Sequence, residues 1–175
     1  MNRNYCDGLQ RRDMLCRKGF EVTQLDPVRI RQLYEVRGAI DALAARLAAG
    51  RVKADAAGRA DLEAALRAGR AADRKTSLSQ LTALDVDFHR AIYRLSGNPA
   101  IEEMIAPQWP HMRRSMATVL AELDYRQSAW HEHETIAAHI LSGNAKAAEG
   151  SALAHAIGAG RMTEERLKAG TEKAA

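Results

Sequence analysis

From Asp26-Pro27 onward the chain is cut into segments, each opened by a capping residue or a proline, striped with apolar residues three and four apart, and closed by glycine or a short polar turn. That rhythm is helical. Asp is a good N-cap and Pro suits the first helical position, so a helix is predicted over 27–49, with Ile30, Leu33, Tyr34, Ile40, Leu43, Ala44 and Leu47 inward and Gly50 as its stop. A second is predicted over 54–68, with Leu62 and Leu66 inward and Gly69 closing it. A third covers 76–95, capped by Thr76 or Ser77 and stopped at Ser96-Gly97-Asn98-Pro99. The fourth, 99–122, should kink or break near Pro107 and Pro110. The fifth, 124–141, turns at Ser142-Gly143-Asn144 into the sixth, 145–168. Composition supports the pattern: 34 Ala and 17 Leu against 6 Val and 8 Ile favour helix and exclude a β-sandwich or barrel. Six helices with short connections imply an all-α antiparallel bundle. At 175 residues it can bury a core without disulfides or a structural metal, so a metal here would serve function.

Residues 1–24 read as a basic leader and 169–175 as a disordered tail, leaving 25–168 as the domain. Between Met14 and Gln24 two short apolar patches flank Gly19, a pattern that suggests a small hairpin. Arg3, Arg11, Arg12, Arg17 and Lys18 against Asp7 and Asp13 place three of the chain's four net positive charges in its first 20 residues. A leader of that kind can touch nucleic acid or simply be a solvated tail. Cys6 and Cys16 are too far apart for a zinc knuckle or a redox CxxC, and suggest a reducing, cytoplasmic setting. No apolar run is long enough to span a membrane. Arg11-Arg12 begins like an export signal, but Arg17-Lys18 stand where its apolar run would be.

Four residues carry candidate chemistry: Asp85, His89, His133 and His155. Asp85 and His89 are four apart and share one helical face. His133 lies 10 residues before Gly143 and His155 lies 12 after it, roughly 15 and 18 Å from the bend, so an antiparallel hairpin brings both imidazoles to about the same height. Three imidazoles and a carboxylate suit zinc, nickel, manganese or iron, with positions left for water or a ligand. An isolated Asp/His pair is also common surface decoration. His131 and His139 do not share the face of His133, and Trp109 and Trp130 read as core or pocket walls.

Arg37 falls inside the apolar stripe, where it either pairs with Asp41, snorkels, or lines a polar cavity. Arg113 borders the stripe of Met116 and Leu120 and could share such a cavity, whereas Arg114 points elsewhere. Familiar enzyme motifs fail. His133-Glu134-Thr135-Ile136-Ala137 lacks the second histidine of a zinc protease, Glu-x-x-His pairs of a di-iron bundle are missing, GxSxG is absent, and Arg74-Lys75-Thr76 follows Gly69 but lacks the glycine immediately before the lysine that a phosphate loop requires.

Leu33-Tyr34-Glu35-Val36-Arg37 with Ile40-Asp41 and Leu47-Ala48, then Asp85-Val86-Asp87-Phe88-His89 with Ser96-Gly97-Asn98, then Glu132-His133 with Ile136, then His155, resemble the effector-binding (FCD) domain of GntR-type transcriptional regulators of the FadR subfamily. The resemblance covers about 25–165. It implies a helical bundle that binds a metal through Asp85, His89, His133 and His155 and senses a small carboxylate or sugar acid beside it, with Arg37 contacting the effector. His139 and Asn144 depart from the usual pattern, which has a small residue and an Asp there. A homodimer is implied, with DNA bound through a winged helix-turn-helix. Residues 14–24 resemble only the last strands of such a wing, so this chain alone is expected not to read a major groove. Two other classes stay open: a metal-dependent hydrolase with a zinc-bound water as nucleophile, and a dimerisation module without a ligand.

Overall fold

The computed structural model describes residues 14–15, 19–20 and 24–172. Two short strands, β1 (Met14–Leu15) and β2 (Gly19–Phe20), pair antiparallel with Met14 opposite Phe20, which is the expected hairpin. Residues 1–13, 16–18, 21–23 and 173–175, most of the leader and the end of the tail, lie outside the described residues. Everything else is helical: α1 (Pro27–Arg51), α2 (Ala56–Arg70), α3 (Leu78–Ser96), α4 (Pro99–Ile105), a 3-10 turn (Ala106–Gln108), α5 (Trp109–Leu120), α6 (Leu123–Leu141) and α7 (Ala145–Glu172). The predicted fourth helix is thus split in two at Pro107 and Pro110, whose missing N–H groups interrupt the helical ladder. α7 also runs four residues past its expected end at 168.

Side chains set most helix starts. Asp26 accepts from the Val28 N–H at 3.0 Å, and Asp55 from the Gly58 N–H at 2.8 Å. Ser77, rather than Thr76, caps α3 in a reciprocal capping box with Gln80. Asn98 caps α4 and Asn144 opens α7 by accepting from the Ala147 N–H at 3.2 Å. Gly97 and Gly143 take left-handed φ values of 69° and 78°, which only glycine adopts freely, and they end the turns after α3 and α6. Gly50 and Gly69 do not stop their helices: α1 continues to Arg51 and α2 to Arg70. Gly69 has a packing reason instead, since a Cβ there would lie 1.7 Å from the Trp130 ring.

α1 lies against α7 along most of its length. Arg31 pairs with Glu164, Arg46 with Glu149, and Gly143 approaches the Ala49 carbonyl, so the two helices run antiparallel. Small residues are buried on both helices, Gly38, Ala44, Ala45 and Ala48 on α1 and Ala148, Ala152, Ala156 and Gly160 on α7, and a Cβ at Gly38 would lie 3.5 Å from that of Ala156. A Cβ at Gly160 would come within 2.6 Å of Tyr34, so the backbones can close up only without it. α3 packs on α1 and α2 and carries Val86, Phe88, Ile92 and Leu95 into the main core with Ile136 and Ile140 of α6. The bundle therefore sets α1, α3, α6 and α7 around one interior.

Candidate metal and ligand site

Polar groups collect in that interior. α1 contributes Arg37 and Asp41, α3 contributes Asp85, His89 and Tyr93, and the α6–α7 hairpin contributes His133 and His155; all are buried. The hairpin places the two imidazoles as their distances from Gly143 require, with Nε2 of His133 and Nε2 of His155 3.1 Å apart. Ligand atoms of His89, His133 and His155 all fall within 4.8 Å of one another. The Asp85 carboxylate stands at their edge, Oδ1 3.6 Å from His133 Nε2 and Oδ2 3.8 Å from His89 Nε2.

Outer carboxylates stand beside two of the three rings. His155 Nδ1 meets Glu132 Oε2 at 2.7 Å, and His89 Nδ1 lies 3.6 Å from Asp41 Oδ2. The Glu132 bond engages Nδ1 and leaves His155 Nε2 facing inward, which is how carboxylates orient metal-bound imidazoles, while Asp41 stands on the Nδ1 side of His89 beyond hydrogen-bond distance. His133 is held differently, stacked on Phe88 at a centroid distance of 4.3 Å with the Trp130 edge against it at 4.7 Å.

Charge follows burial. Burial first, then Arg37 and the other imidazoles, pushes His89 well below its ordinary 6.5. Burial, followed by His155 and Arg37, does the same to His133. Both rings are therefore neutral near pH 7, the form that binds a metal. Burial raises the Asp85 carboxyl above its usual range, although Arg37 and His155 pull it back. Burial works against the Arg37 cation most strongly, but Asp41 together with Tyr93, Tyr34 and Asp85 outweighs it and keeps the guanidinium charged.

The donor set fits a divalent cation. Two ligands at about 2.1 Å from one ion are separated by about 3.0 Å at a right angle and about 3.4 Å at the tetrahedral angle, and the His133–His155 spacing of 3.1 Å falls between these. His89 Nε2 is buried and has no hydrogen-bond partner among the described residues, so an inward-facing lone pair stands ready.

Arg37 joins the cluster through Asp41. Its Nε donates to Asp41 Oδ2 at 3.1 Å, its guanidinium carbon lies 5.4 Å from the Tyr34 ring centroid and 5.7 Å from that of Trp109, and it is 1% exposed. Of the alternatives open to it, the ion pair with Asp41 is the one present. Arg113 is corrected: it is exposed, because the buried face of α5 is Trp109, Met112, Ser115 and Met116, and Arg113 lies just past the edge of that stripe. The α5 hydroxyl that reaches the interior is Ser115, whose Oγ is 3.4 Å from the Tyr34 hydroxyl.

Two participants were assigned no role from the sequence. Tyr93 donates a short hydrogen bond to Asp41 Oδ1, and its position four residues after His89 on the same face was the available signal. Glu132, next to His133 in sequence, serves His155 across the hairpin, and only the tertiary structure reveals that. A wider cleft of about 480 Å³ between the end of α2 and the start of α6 holds none of the cluster.

The model of the FCD domain matches residues 32–158, a span that includes every member of the cluster. The chain belongs to the FCD domain family. FCD domains are the effector-binding domains of GntR-family regulators, so this bundle is a ligand-sensing regulatory domain. A comparison with curated proteins gives no match. Within the described residues of this FCD domain, no helix is long and apolar enough to cross a membrane.

Proposed function

We propose that the chain is the sensing domain of a FadR-subfamily regulator, which holds a divalent cation on Asp85, His89, His133 and His155 and responds to a small carboxylate or sugar acid. Zinc is the first choice for three imidazoles and one carboxylate, with nickel, manganese and iron also suited. The observation that carries this reading is the meeting of three buried Nε2 atoms, that of His89 without a partner, beside a buried guanidinium. When bound, the cation supplies a Lewis-acidic position for a ligand oxygen.

The chain's own residues do the remainder. Glu132 holds His155 with Nε2 inward, and Asp41 lies on the Nδ1 side of His89. Arg37, Asp41 and an ionised Asp85 together carry one negative charge, so a divalent cation turns the buried set positive by one. A carboxylate restores neutrality, and burial makes that balance count. Because His155 rides on α7 and α7 packs along α1, an effector that draws these groups together biases the relative position of two long helices. In a homodimer that shift would reach the DNA-binding segments. The chain by itself should bind DNA weakly and without sequence preference, through its basic leader, with affinity falling steeply in salt. The match to a regulatory domain favours this over a hydrolase.

The test is metal stoichiometry with calorimetric titration of dicarboxylates and sugar acids into wild type, His155→Ala and Arg37→Ala. His155→Ala should lose metal and effector together, while Arg37→Ala should keep the metal and lose the effector. A full equivalent of metal in His155→Ala refutes the four-residue site; normal effector binding by Arg37→Ala refutes the role of the guanidinium.

A further inference from the structure

Two buried donors beside the cluster have no acceptor among the described residues: Nη2 of Arg37 and Nε1 of Trp109. They are neighbours, with the guanidinium carbon 5.7 Å from the indole centroid. Each is fixed from behind. Asp41 takes Arg37 Nε, and Tyr93 stacks on the Trp109 ring at 6.2 Å, nearly parallel. Trp109 begins α5 between Pro107 and Pro110, so its backbone is also held. A buried donor left unpaired is costly, and native interiors keep few of them. Here two occur on side chains in contact, one of them charged.

Indole Nε1 and guanidinium nitrogens can only donate, so whatever satisfies both must accept. A carboxamide accepts through its oxygen but brings an NH2 that would oppose a second donor. A carboxylate offers acceptors only, and its charge is matched by Arg37. We infer that Trp109 is a specificity-determining residue whose indole N–H, with Arg37 Nη2, clamps a carboxylate of the effector and selects it over the amide. This rests on the carboxylate-sensing reading above and adds to it a second donor and a rule of discrimination.

The experiment uses the zinc-loaded full chain, wild type and Trp109→Phe, titrated calorimetrically with acetate, malonate, succinate and gluconate, and with acetamide and malonamide. Trp109→Phe keeps the ring and deletes the N–H. It should keep its zinc and weaken the best carboxylate by about tenfold to a hundredfold, the worth of one hydrogen bond to a charged group. In parallel, the indole 15N–1H signal of Trp109, assigned with Trp130→Phe, should move downfield with that carboxylate and stay put with the amide; this holds even if Trp109→Phe folds poorly. If a carboxylate binds wild type and Trp109→Phe equally well, or binds without moving the indole signal, Trp109 is a pocket wall whose N–H meets only water. If no carboxylate in the panel binds wild type, the carboxylate reading itself fails and the clamp with it.

Discussion

Gly69→Ala puts the packing around the cluster to a quantitative test. In an exposed helix interior, Gly→Ala gains about 1 kcal/mol, because alanine loses less backbone freedom on folding. At position 69 the new Cβ would lie 1.7, 2.1 and 2.2 Å from three carbons of the Trp130 ring, against a normal contact of about 3.5–4 Å. The indole must therefore move by about 2 Å, more than a core relieves by small shifts. It is also packed edge-on against Phe88 and His133, so it cannot move alone. Overpacking of this sort costs about 1–3 kcal/mol, and full ejection of the indole approaches the 3–5 kcal/mol of an aromatic truncation. Because a 2 Å displacement amounts to ejection of the indole, setting the propensity gain of about 1 kcal/mol against about 3–5 kcal/mol leaves an expected net loss of about 2–4 kcal/mol, or roughly 5–15 °C in Tm for a chain of this size. Gly150→Ala is the control, since a Cβ there meets nothing within 4 Å; it should raise Tm by a few degrees. Thermal unfolding by circular dichroism of both variants decides the matter. A Gly69→Ala protein as stable as Gly150→Ala would mean that Trp130 does not sit against α2 and that the wall behind His133 is misplaced.

Other perturbations bear on the buried charges. Asp41→Asn keeps the shape of the side chain but strips Arg37 of its anion, and should cost about 3–5 kcal/mol in urea unfolding; a loss below about 1 kcal/mol would show that the pair is solvated. The metal-free protein should lose stability as pH falls below about 6.5. Unfolded histidines take up protons there, whereas His89 and His133 are held neutral in the fold, so the unfolded state binds more protons. Asp85 acts with the opposite sign: its raised carboxyl favours the fold while protonated and loses that contribution as pH rises through its folded value. Two imidazoles oppose one carboxyl, so Tm in chelator should be lower at pH 5.5 than at pH 7.5, and a flat or inverted profile would contradict neutral buried rings.

What the sequence made legible was whatever depends on local chemistry or simple geometry. Asp26 and Ser77 cap through their own side chains, so they mark helix starts wherever the bundle goes. The His133–His155 meeting needed only a turn and a rise per residue. Gly50 and Gly69 misled because glycine reads as a stop, whereas it also serves where two elements touch; the indole that requires Gly69 is 61 positions away. Arg113 misled because a residue at the border of a stripe turns inward or outward with a small helix rotation that no single helix specifies. The pairing of Tyr93 with Asp41 joins residues 52 apart on two helices whose adjacency the pattern alone could not supply.

The antiparallel seam of α1 and α7 also settles where the described chain comes and goes. With Arg31 beside Glu164, Pro27 lies about 6 Å beyond that pair and Glu172 about 12 Å, on the same side. Both ends thus leave one pole of the bundle, a helix width apart, and the backbone forms an almost closed ring. A circular permutant that joins these ends with a short flexible linker and opens at the Gly97-Asn98 turn would keep the small-residue seam, and would place the new termini at the far pole, where α1 meets the turn after α3 through Arg51.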